Sequence, residues 1–197
     1  AVLVVDDRYV IESRSGPVIL TEHMKVNVYE LIRDRNICVV TVRDTRKALS
    51  ALSAAFFDYP AERMKMIGIT GTNGKTTTAF LTAGILQEAG YRVGMIGTIE
   101  SYDGRRRETV KNTTPESCEI HRLLSRMVEN ECDCCVMEVS SQGIALQRTA
   151  DIFFDIGVFL NIEPDHIGKG EHATFSEYLY CKSRLMRQCG IGIVNQD

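Results

Sequence analysis

The chain has 197 residues, of which 44% are hydrophobic and 25% charged, so its composition is that of an ordinary globular protein. A net charge of -3 gives no broad basic surface and argues against non-specific nucleic-acid binding. No run of about 18 apolar residues is present, which argues against membrane insertion. The seven cysteines, an odd number, favour reduced thiols in the cytoplasm over a disulfide framework.

The first third of the chain predicts one strand and one helix. Residues 37–42 (ICVVTV) read as a strand, and Asp44 or Thr45 can cap the helix that follows. Leu49, Leu52 and Phe56 share one face of this helix, which Pro60 closes. The polar residues 61–63 then predict a domain junction, with one partial domain over 1–62 and a second over 63–197. There is no initiator Met, and the chain stops directly after a predicted strand, so we expect a piece of a longer protein.

After residue 63 the pattern of strand, loop and helix repeats. Strands are predicted at 64–70, 91–96, 134–139, 155–162 and 191–194, and helices at 76–89, 116–130 and 175–188. Asp103-Gly104 is a hairpin-type turn between the second strand and the second helix. This alternation predicts an α/β fold, a mainly parallel sheet with flanking helices. Ligands of such sheets bind beyond the carboxyl ends of the strands.

A phosphate-binding loop is predicted where the first of these strands meets its helix. The run GITGTNGKTT (68–77) has Gly-Lys-Thr between strand and helix, although Ile69 stands where the general pattern has Gly. Glycines let successive backbone amides face one anion, and the helix N-terminus adds positive potential. The lysine would reach the outer phosphates, and the first threonine of the helix would bind Mg²⁺. The residues predicted to bind nucleotide are Gly71, Thr72, Asn73, Gly74, Lys75, Thr76 and Thr77.

Three further residues suggest chemistry, and three neighbouring cysteines do not. Glu138 ends a strand at the rim where ligands bind, and a carboxylate there can hold Mg²⁺. Chemistry alone gives no reason to place His166 on Mg²⁺, which prefers oxygen ligands. Lys182 lies between Leu179 and Leu185 on a predicted helix and faces partly inward, where desolvation would favour the neutral amine. The spacing of Cys132, Cys134 and Cys135 does not match a zinc site.

The phosphate loop resembles that of the Mur ligases, which form amide bonds in peptidoglycan precursors, and of the related folylpolyglutamate synthases. The segments 112–115 (NTTP), 137–141 (MEVSS), 161–166 (NIEPDH) and 180–182 (YCK) stand in the order and spacing of the branch that adds the third amino acid. The resemblance covers about residues 37–197. It implies that residues 1–62 are part of an N-terminal domain that resembles a uridine-nucleotide-binding domain. Residues 63–197 would form a truncated central ATP-binding domain, and the C-terminal amino-acid-binding domain would be absent.

The resemblance also implies roles for individual residues. The implied catalytic residues are Lys75, Glu138, His166 and Lys182. Two Mg²⁺ ions would be held by Thr76, Glu138, His166 and Lys182, the last as a carbamate formed with CO₂. The substrate UDP-MurNAc-L-Ala-D-Glu would contact Asn112, Thr113, Thr114, Ser140 and Arg148, whose hydroxyl, amide and guanidinium groups suit carboxylate and phosphate.

The resemblance implies an ATP-dependent ligase that joins meso-diaminopimelate or L-lysine to this dipeptide through an acyl phosphate. Its partners would be small molecules, and we expect the 197 residues alone to be inactive. Neither the identity of the amino acid nor the oligomeric state follows from the sequence. Two alternatives stay open, namely another ligase of the superfamily, such as a folylpolyglutamate synthase, and a nucleotide-binding module without catalysis.

Overall fold

The computed structural model describes residues 2–6, 10–13, 16–20, 25–27, 38–165, 167–168 and 172–196. The chain divides into two units, 1–49 and 50–197. The domain boundary expected after residue 62 stays a prediction. None of the helices in the described part of the chain is both long enough and apolar enough to cross a bilayer.

The first unit contains two small sheets. Strands β1 (Val2–Asp6) and β5 (Cys38–Val42) pair in parallel. Strands β2 (Val10–Ser13), β3 (Gly16–Leu20) and β4 (Lys25–Asn27) form an antiparallel sheet. The strand predicted at 37–42 is therefore confirmed as β5.

Helix α1 (Thr45–Phe56) forms where it is predicted, but it buries a different face. Asp44 is its cap, because its carboxylate accepts the backbone N–H groups of Arg46 and Lys47. Leu52 and Phe56 are 54% and 82% exposed, and Leu49 is exposed as well. The buried side is made of small residues (Ser50, Ser53 and Ala54), and the Ser50 hydroxyl accepts the Asp151 N–H at 3.2 Å. The apolar spacing identified a shared face of the helix, but polar and small side chains pack inward instead.

The second unit is built on one seven-stranded sheet with the order β12-β11-β6-β10-β7-β8-β9. Its strands are β6 (Lys65–Thr70), β7 (Val93–Ile96), β8 (Ser101–Tyr102), β9 (Arg107–Glu108), β10 (Cys134–Glu138), β11 (Phe154–Phe159) and β12 (Cys189–Val194). The five strands from β12 to β7 are parallel, whereas β8 and β9 add an antiparallel hairpin at one edge. The mainly parallel sheet predicted from the alternation is confirmed, and the predicted turn at 103–104 lies between β8 and β9.

Helices cover both faces of this sheet, as predicted. Helix α2 (Lys75–Glu88) turns Ala79 and Ala83 toward one face. Helix α3 (Ser117–Glu129) covers the other face with Ile120, Leu123, Leu124 and Met127, all fully buried. Val128 is only partly buried at the margin of that core. The small residues of α2 let its backbone approach the strand that leads into the phosphate loop.

Two segments near the carboxyl ends of the strands differ from the prediction. Helix α4 (Ser141–Ala145) was not predicted, and it begins where the Ser140 hydroxyl accepts the Gly143 N–H at 3.0 Å. The helix predicted over 175–188 is α5 (Phe175–Ser183) followed by a 3₁₀ turn over Arg184–Arg187. Strand β11 ends at Phe159 rather than 162, because Asn161 turns toward the phosphate loop instead of continuing the ladder.

Candidate nucleotide and substrate site

The predicted phosphate loop joins β6 to α2 at the carboxyl edge of the sheet. Gly74 has a φ of 81° at the helix cap, a left-handed conformation that glycine adopts without strain. Asn161, from the end of β11, holds the loop in place. Its side-chain oxygen accepts the Asn73 N–H at 3.0 Å, its amide donates to the Asn73 carbonyl at 3.2 Å, and its own carbonyl accepts the Thr72 N–H at 3.2 Å. Thr77 lies in the first turn of α2.

Two lysines converge on the same backbone oxygen of this loop. Lys75 Nζ donates to the Gly71 carbonyl at 2.9 Å and to the Thr72 carbonyl at 2.9 Å. Lys182 Nζ, from α5, donates to the Gly71 carbonyl at 2.7 Å. Lys182 is only 1% exposed, so the prediction that it faces inward is confirmed.

Burial disfavours the charged form of both lysines, and at Lys182 the charge of Lys75 adds to this effect. Burial lowers the pKa of Lys75, although the carboxylates of Glu138 and Asp165 oppose the shift. Burial, and then the charge of Lys75, lower the pKa of Lys182 to about 7, with Asp165 opposing. Near neutral pH a substantial share of Lys182 is therefore the free amine, which is the nucleophilic form.

Glu138 stands at the centre of a group of oxygen atoms beside the loop. Its carboxylate accepts the Thr76 hydroxyl at 2.8 Å, the Thr98 N–H at 2.8 Å and the Thr98 hydroxyl at 3.1 Å. Gly97 packs so closely on this carboxylate that an added Cβ would collide with Oε1. Glu138 is 1% exposed, so these contacts fix a buried carboxylate rather than a solvated one.

The oxygen-rich surroundings of Glu138 suit a magnesium ion. A carboxylate and hydroxyl groups are hard ligands of the kind that Mg²⁺ takes, usually completed by water and phosphate. Among the described residues, no three His, Cys, Asp or Glu side chains cluster as metal ligands. The predicted ligand His166 lies outside the described residues. Of the predicted magnesium ligands, the structure therefore brings Thr76 and Glu138 into contact with each other.

The residues predicted to bind the muramoyl dipeptide substrate lie around a cavity of about 270 Å³ beside Lys75. Asn112, Thr113, Thr114, Ser140 and Arg148 all line it, together with Lys111 and His172. The Thr114 hydroxyl links its own segment, which precedes α3, to the end of β10. It donates to the Glu138 carbonyl at 3.0 Å and accepts the Ser140 N–H at 2.9 Å. The hydroxyl of Thr113, which lines the cavity, lies 3.0 Å from the hydroxyl of Thr98, so the cavity is next to the group of oxygen atoms around Glu138.

Arg148 is held by protein groups at the base of this cavity. Its guanidinium donates to the Thr114 carbonyl at 3.0 Å and pairs with the Glu116 carboxylate at 2.5 Å. Its own carbonyl accepts the Ser117 hydroxyl at 3.2 Å. These contacts fasten residues 114–117 to the segment after α4, and direct contact of Arg148 with substrate stays a prediction.

Three residues of the site were given no role from the sequence, although Asn161 stands in the segment 161–166 that carries the resemblance. Thr98 binds Glu138, Asn161 holds the phosphate loop, and Tyr178 contacts Thr72. Thr98 and Asn161 follow the carboxyl ends of β7 and β11, so the rule that ligands bind at this edge could have identified them. Tyr178 gives no such signal, since its role depends on how α5 packs.

The neighbouring cysteines are structural. Burial raises the pKa of the Cys132 and Cys134 thiols to about 11, and the pKa of Cys135 is raised well above its ordinary value by burial. Protonated buried thiols of this kind pack as small apolar groups.

Comparisons with known proteins give a consistent result. The Mur ligase middle domain matches residues 69–197. The chain is 44% identical over 162 residues to the UDP-N-acetylmuramoyl-L-alanyl-D-glutamate--2,6-diaminopimelate ligase of Clostridium perfringens, covering 82% of this chain and 33% of that protein. It is 42% identical over 160 residues to the corresponding L-lysine ligase of Enterococcus faecalis, covering 80% and 32%.

The fold is also similar to a solved structure of a UDP-N-acetylmuramoyl-L-alanyl-D-glutamate--2,6-diaminopimelate ligase. The TM-score is 0.67 at 22% identity, with 81% of this chain and 32% of that chain covered. The chain spans about a third of the length of the curated relatives it matches.

Proposed function

Because the chain belongs to the Mur ligase family, we propose that it carries the ATP-binding core of a ligase that adds the third amino acid to UDP-MurNAc-L-Ala-D-Glu. The amino acid would be meso-diaminopimelate or L-lysine, as in the relatives from Clostridium perfringens and Enterococcus faecalis. One observation carries the proposal: Lys75 of the phosphate loop lines the same polar cavity as the residues predicted to bind substrate, and the hydroxyl of the next residue, Thr76, donates to Glu138 at 2.8 Å. Nucleotide and acceptor carboxylate could thus lie side by side.

The proposed reaction has two steps. The side-chain carboxylate of D-Glu attacks the γ-phosphorus of ATP, so a carboxyl–phosphate bond forms as the bond to ADP breaks. The amine of the incoming amino acid then attacks the acyl carbon, an amide forms, and inorganic phosphate leaves with the loss of one proton from nitrogen. Such transfers depend mainly on positioning and on neutralising charge. Lys75 would move from the loop carbonyls to the phosphates, and the Thr114–Ser140 wall would orient the acceptor.

Magnesium would be held by Thr76 and Glu138, joined by His166 and by Lys182 as its carbamate. When bound, Mg²⁺ neutralises phosphate charge and aligns the phosphate oxygens. The work of the protein is to keep the Glu138 carboxylate in place, and the hydroxyls of Thr76 and Thr98 support this role. A second magnesium ion is part of the same proposal.

Carbamylation of Lys182 joins the amine nitrogen to the carbon of CO₂ and releases one proton. Its supporting observation is the pKa of about 7, since only the uncharged amine reacts. In buffer with ¹³C-labelled bicarbonate, a carbamate carbon signal should appear in wild-type protein and be absent from the Lys182→Gln variant. An identical signal in both proteins would remove this part of the proposal.

The activity itself is tested on the full-length protein that carries this sequence. ADP release should require UDP-MurNAc-L-Ala-D-Glu together with diaminopimelate or lysine, and Lys75→Met should abolish it. Lys47→Met, which removes an exposed lysine of α1, serves as the matched control and should leave the rate unchanged. Glutamylation of a folate without turnover of the muramoyl dipeptide would instead identify another ligase of the superfamily. ATP binding without release of phosphate would identify a non-catalytic module.

The biological setting follows from the proposed reaction. The protein would act in the cytoplasm on small molecules, in the synthesis of peptidoglycan, and thereby in cell-wall formation, cell shape and division. In a strain depleted of this activity, wild-type protein should restore growth and wall cross-linking, and Lys75→Met should not. That result would support a role in peptidoglycan synthesis.

A further inference from the structure

Tyr178 is a fully buried aromatic residue that connects α5 to the phosphate loop. Its side chain is 0% exposed, and its hydroxyl lies 3.1 Å from the hydroxyl of Thr72. Thr72 is the second residue of the loop and is itself buried. A polar contact enclosed in this way has no competing water, so its loss would leave the Thr72 hydroxyl without one of its partners.

Either hydroxyl could donate in this contact, and the surroundings of Thr72 allow Tyr178 to be the donor. The Thr72 oxygen accepts the Glu163 N–H at 3.0 Å, and it lies 3.4 Å from the Glu163 carbonyl, to which it can donate. A threonine hydroxyl has one proton and two lone pairs. If its proton points to the Glu163 carbonyl, the two lone pairs accept from Glu163 and from Tyr178. All three contacts of Thr72 are then satisfied together.

The ring of Tyr178 is held rigidly, so the position of its hydroxyl is set by α5. The Lys182 side-chain nitrogen lies 4.7 Å from the ring centroid, one helical turn along the same face of the helix. The centroids of the His172 and Phe175 rings lie 5.3 Å and 6.5 Å from that of Tyr178. Thr72 therefore bonds to a fixed group rather than to a mobile side chain.

We propose that Tyr178 is a positioning residue for nucleotide binding, which acts through the Thr72 hydroxyl to hold the phosphate loop in shape. This inference rests on the proposed function, because it assumes that the loop binds the phosphates of ATP. The loop binds an anion through several backbone amides at once, so a small rotation at Thr72 weakens all of these contacts. Tyr178 would never touch the nucleotide.

The test is the Tyr178→Phe variant of the full-length protein, which removes one oxygen and keeps the ring beside Lys182. The dissociation constant of Mg-ATP, measured by titration calorimetry, should rise about three- to tenfold, the usual effect of one hydrogen bond. The KM for the muramoyl dipeptide should stay unchanged. Tyr180→Phe is the matched control, since Tyr180 is on the same helix with its side chain 56% exposed, and it should bind ATP like the wild type.

A double-mutant cycle with Thr72→Val tests whether Tyr178 acts through Thr72. In that background Tyr178→Phe should add little further weakening. Equal ATP affinity of wild type and Tyr178→Phe, a lowered melting temperature with unchanged affinity, or fully additive effects would each overturn the inference. Failure of the wild-type protein to bind Mg-ATP at all would instead show that the proposed function is wrong, and the inference would fall with it.

Discussion

The substitution Gly97→Ala tests how far the site depends on the exact place of the Glu138 carboxylate. Gly97 does not have a left-handed backbone, so alanine fits its conformation. The added Cβ would, however, lie well inside 3.0 Å of Glu138 Oε1 and at 3.3 Å from its carboxyl carbon. To reach ordinary contact, that oxygen has to retreat by roughly 1 Å.

A retreat of this size breaks specific contacts. Oε1 is the acceptor of the Thr98 N–H at 2.8 Å, and Oε2 binds the hydroxyls of Thr76 and Thr98. A hydrogen bond to a charged group contributes about 1.5–3 kcal/mol, and displacement of a positioned group by about 1 Å costs up to about a hundredfold in rate. We therefore expect ATP-dependent amide formation by Gly97→Ala to fall about ten- to a hundredfold.

The assay is coupled release of ADP by the full-length protein at varied magnesium concentration, with circular dichroism to confirm folding. Gly84→Ala is the matched control, because nothing lies within 4 Å of a Cβ at Gly84 in the middle of α2. That control should keep full activity and raise the free energy of unfolding by about 0.5–1 kcal/mol. A Gly97→Ala enzyme with wild-type rate and magnesium dependence would refute the role given to Glu138.

Three more predictions concern charge and pH. The pKa of Lys182 is lowered from 10.5 to about 7, so between these pH values the unfolded chain binds more protons and the free energy of unfolding should rise with pH. Urea denaturation of Lys182→Met should lack this rise. The same dependence on pH in wild type and variant would contradict the prediction. Burial lowers the pKa of His121 from 6.5, with Asp151 opposing, so the free energy of unfolding should fall as the pH drops below 6.5. The His121→Leu variant should lose this dependence on pH. If the variant keeps it, His121 is not its source. Arg148→Ala frees the Thr114 carbonyl, so the KM for the muramoyl dipeptide should rise about tenfold or more with little change for ATP, whereas a selective effect on ATP would contradict the placement.

Much of the sheet and the phosphate loop could be predicted because both are encoded locally. The apolar positions of α3, such as Ile120 and Leu124, recur at the helical period, and they are buried as that period requires. The loop has its glycines and Lys75 at fixed spacing between a strand and a helix. The ends of β11 and α5 were predicted less accurately. Strand β11 ends early because Asn161 contacts the phosphate loop, and α5 ends early because a 3₁₀ turn follows it.

The remaining features depend on residues far apart in the chain. The outward face of α1 follows from what Ser50 meets, namely the backbone of Asp151, and not from the spacing of Leu52 and Phe56. Thr98 matters only because β7 and β10 are neighbours in the sheet. Such pairings are set by topology, which one sequence does not reveal.

The β8–β9 hairpin has a consequence for self-association. A parallel sheet that ended in a long, flat strand would offer its free backbone groups to another molecule, whereas β9 is two residues long. Charged side chains crowd this rim, where the Arg107 guanidinium pairs with Glu100 and lies 4.8 Å over the Tyr102 ring. The short, charged edge strand β9 therefore disfavours fibril-like stacking on this side of the sheet.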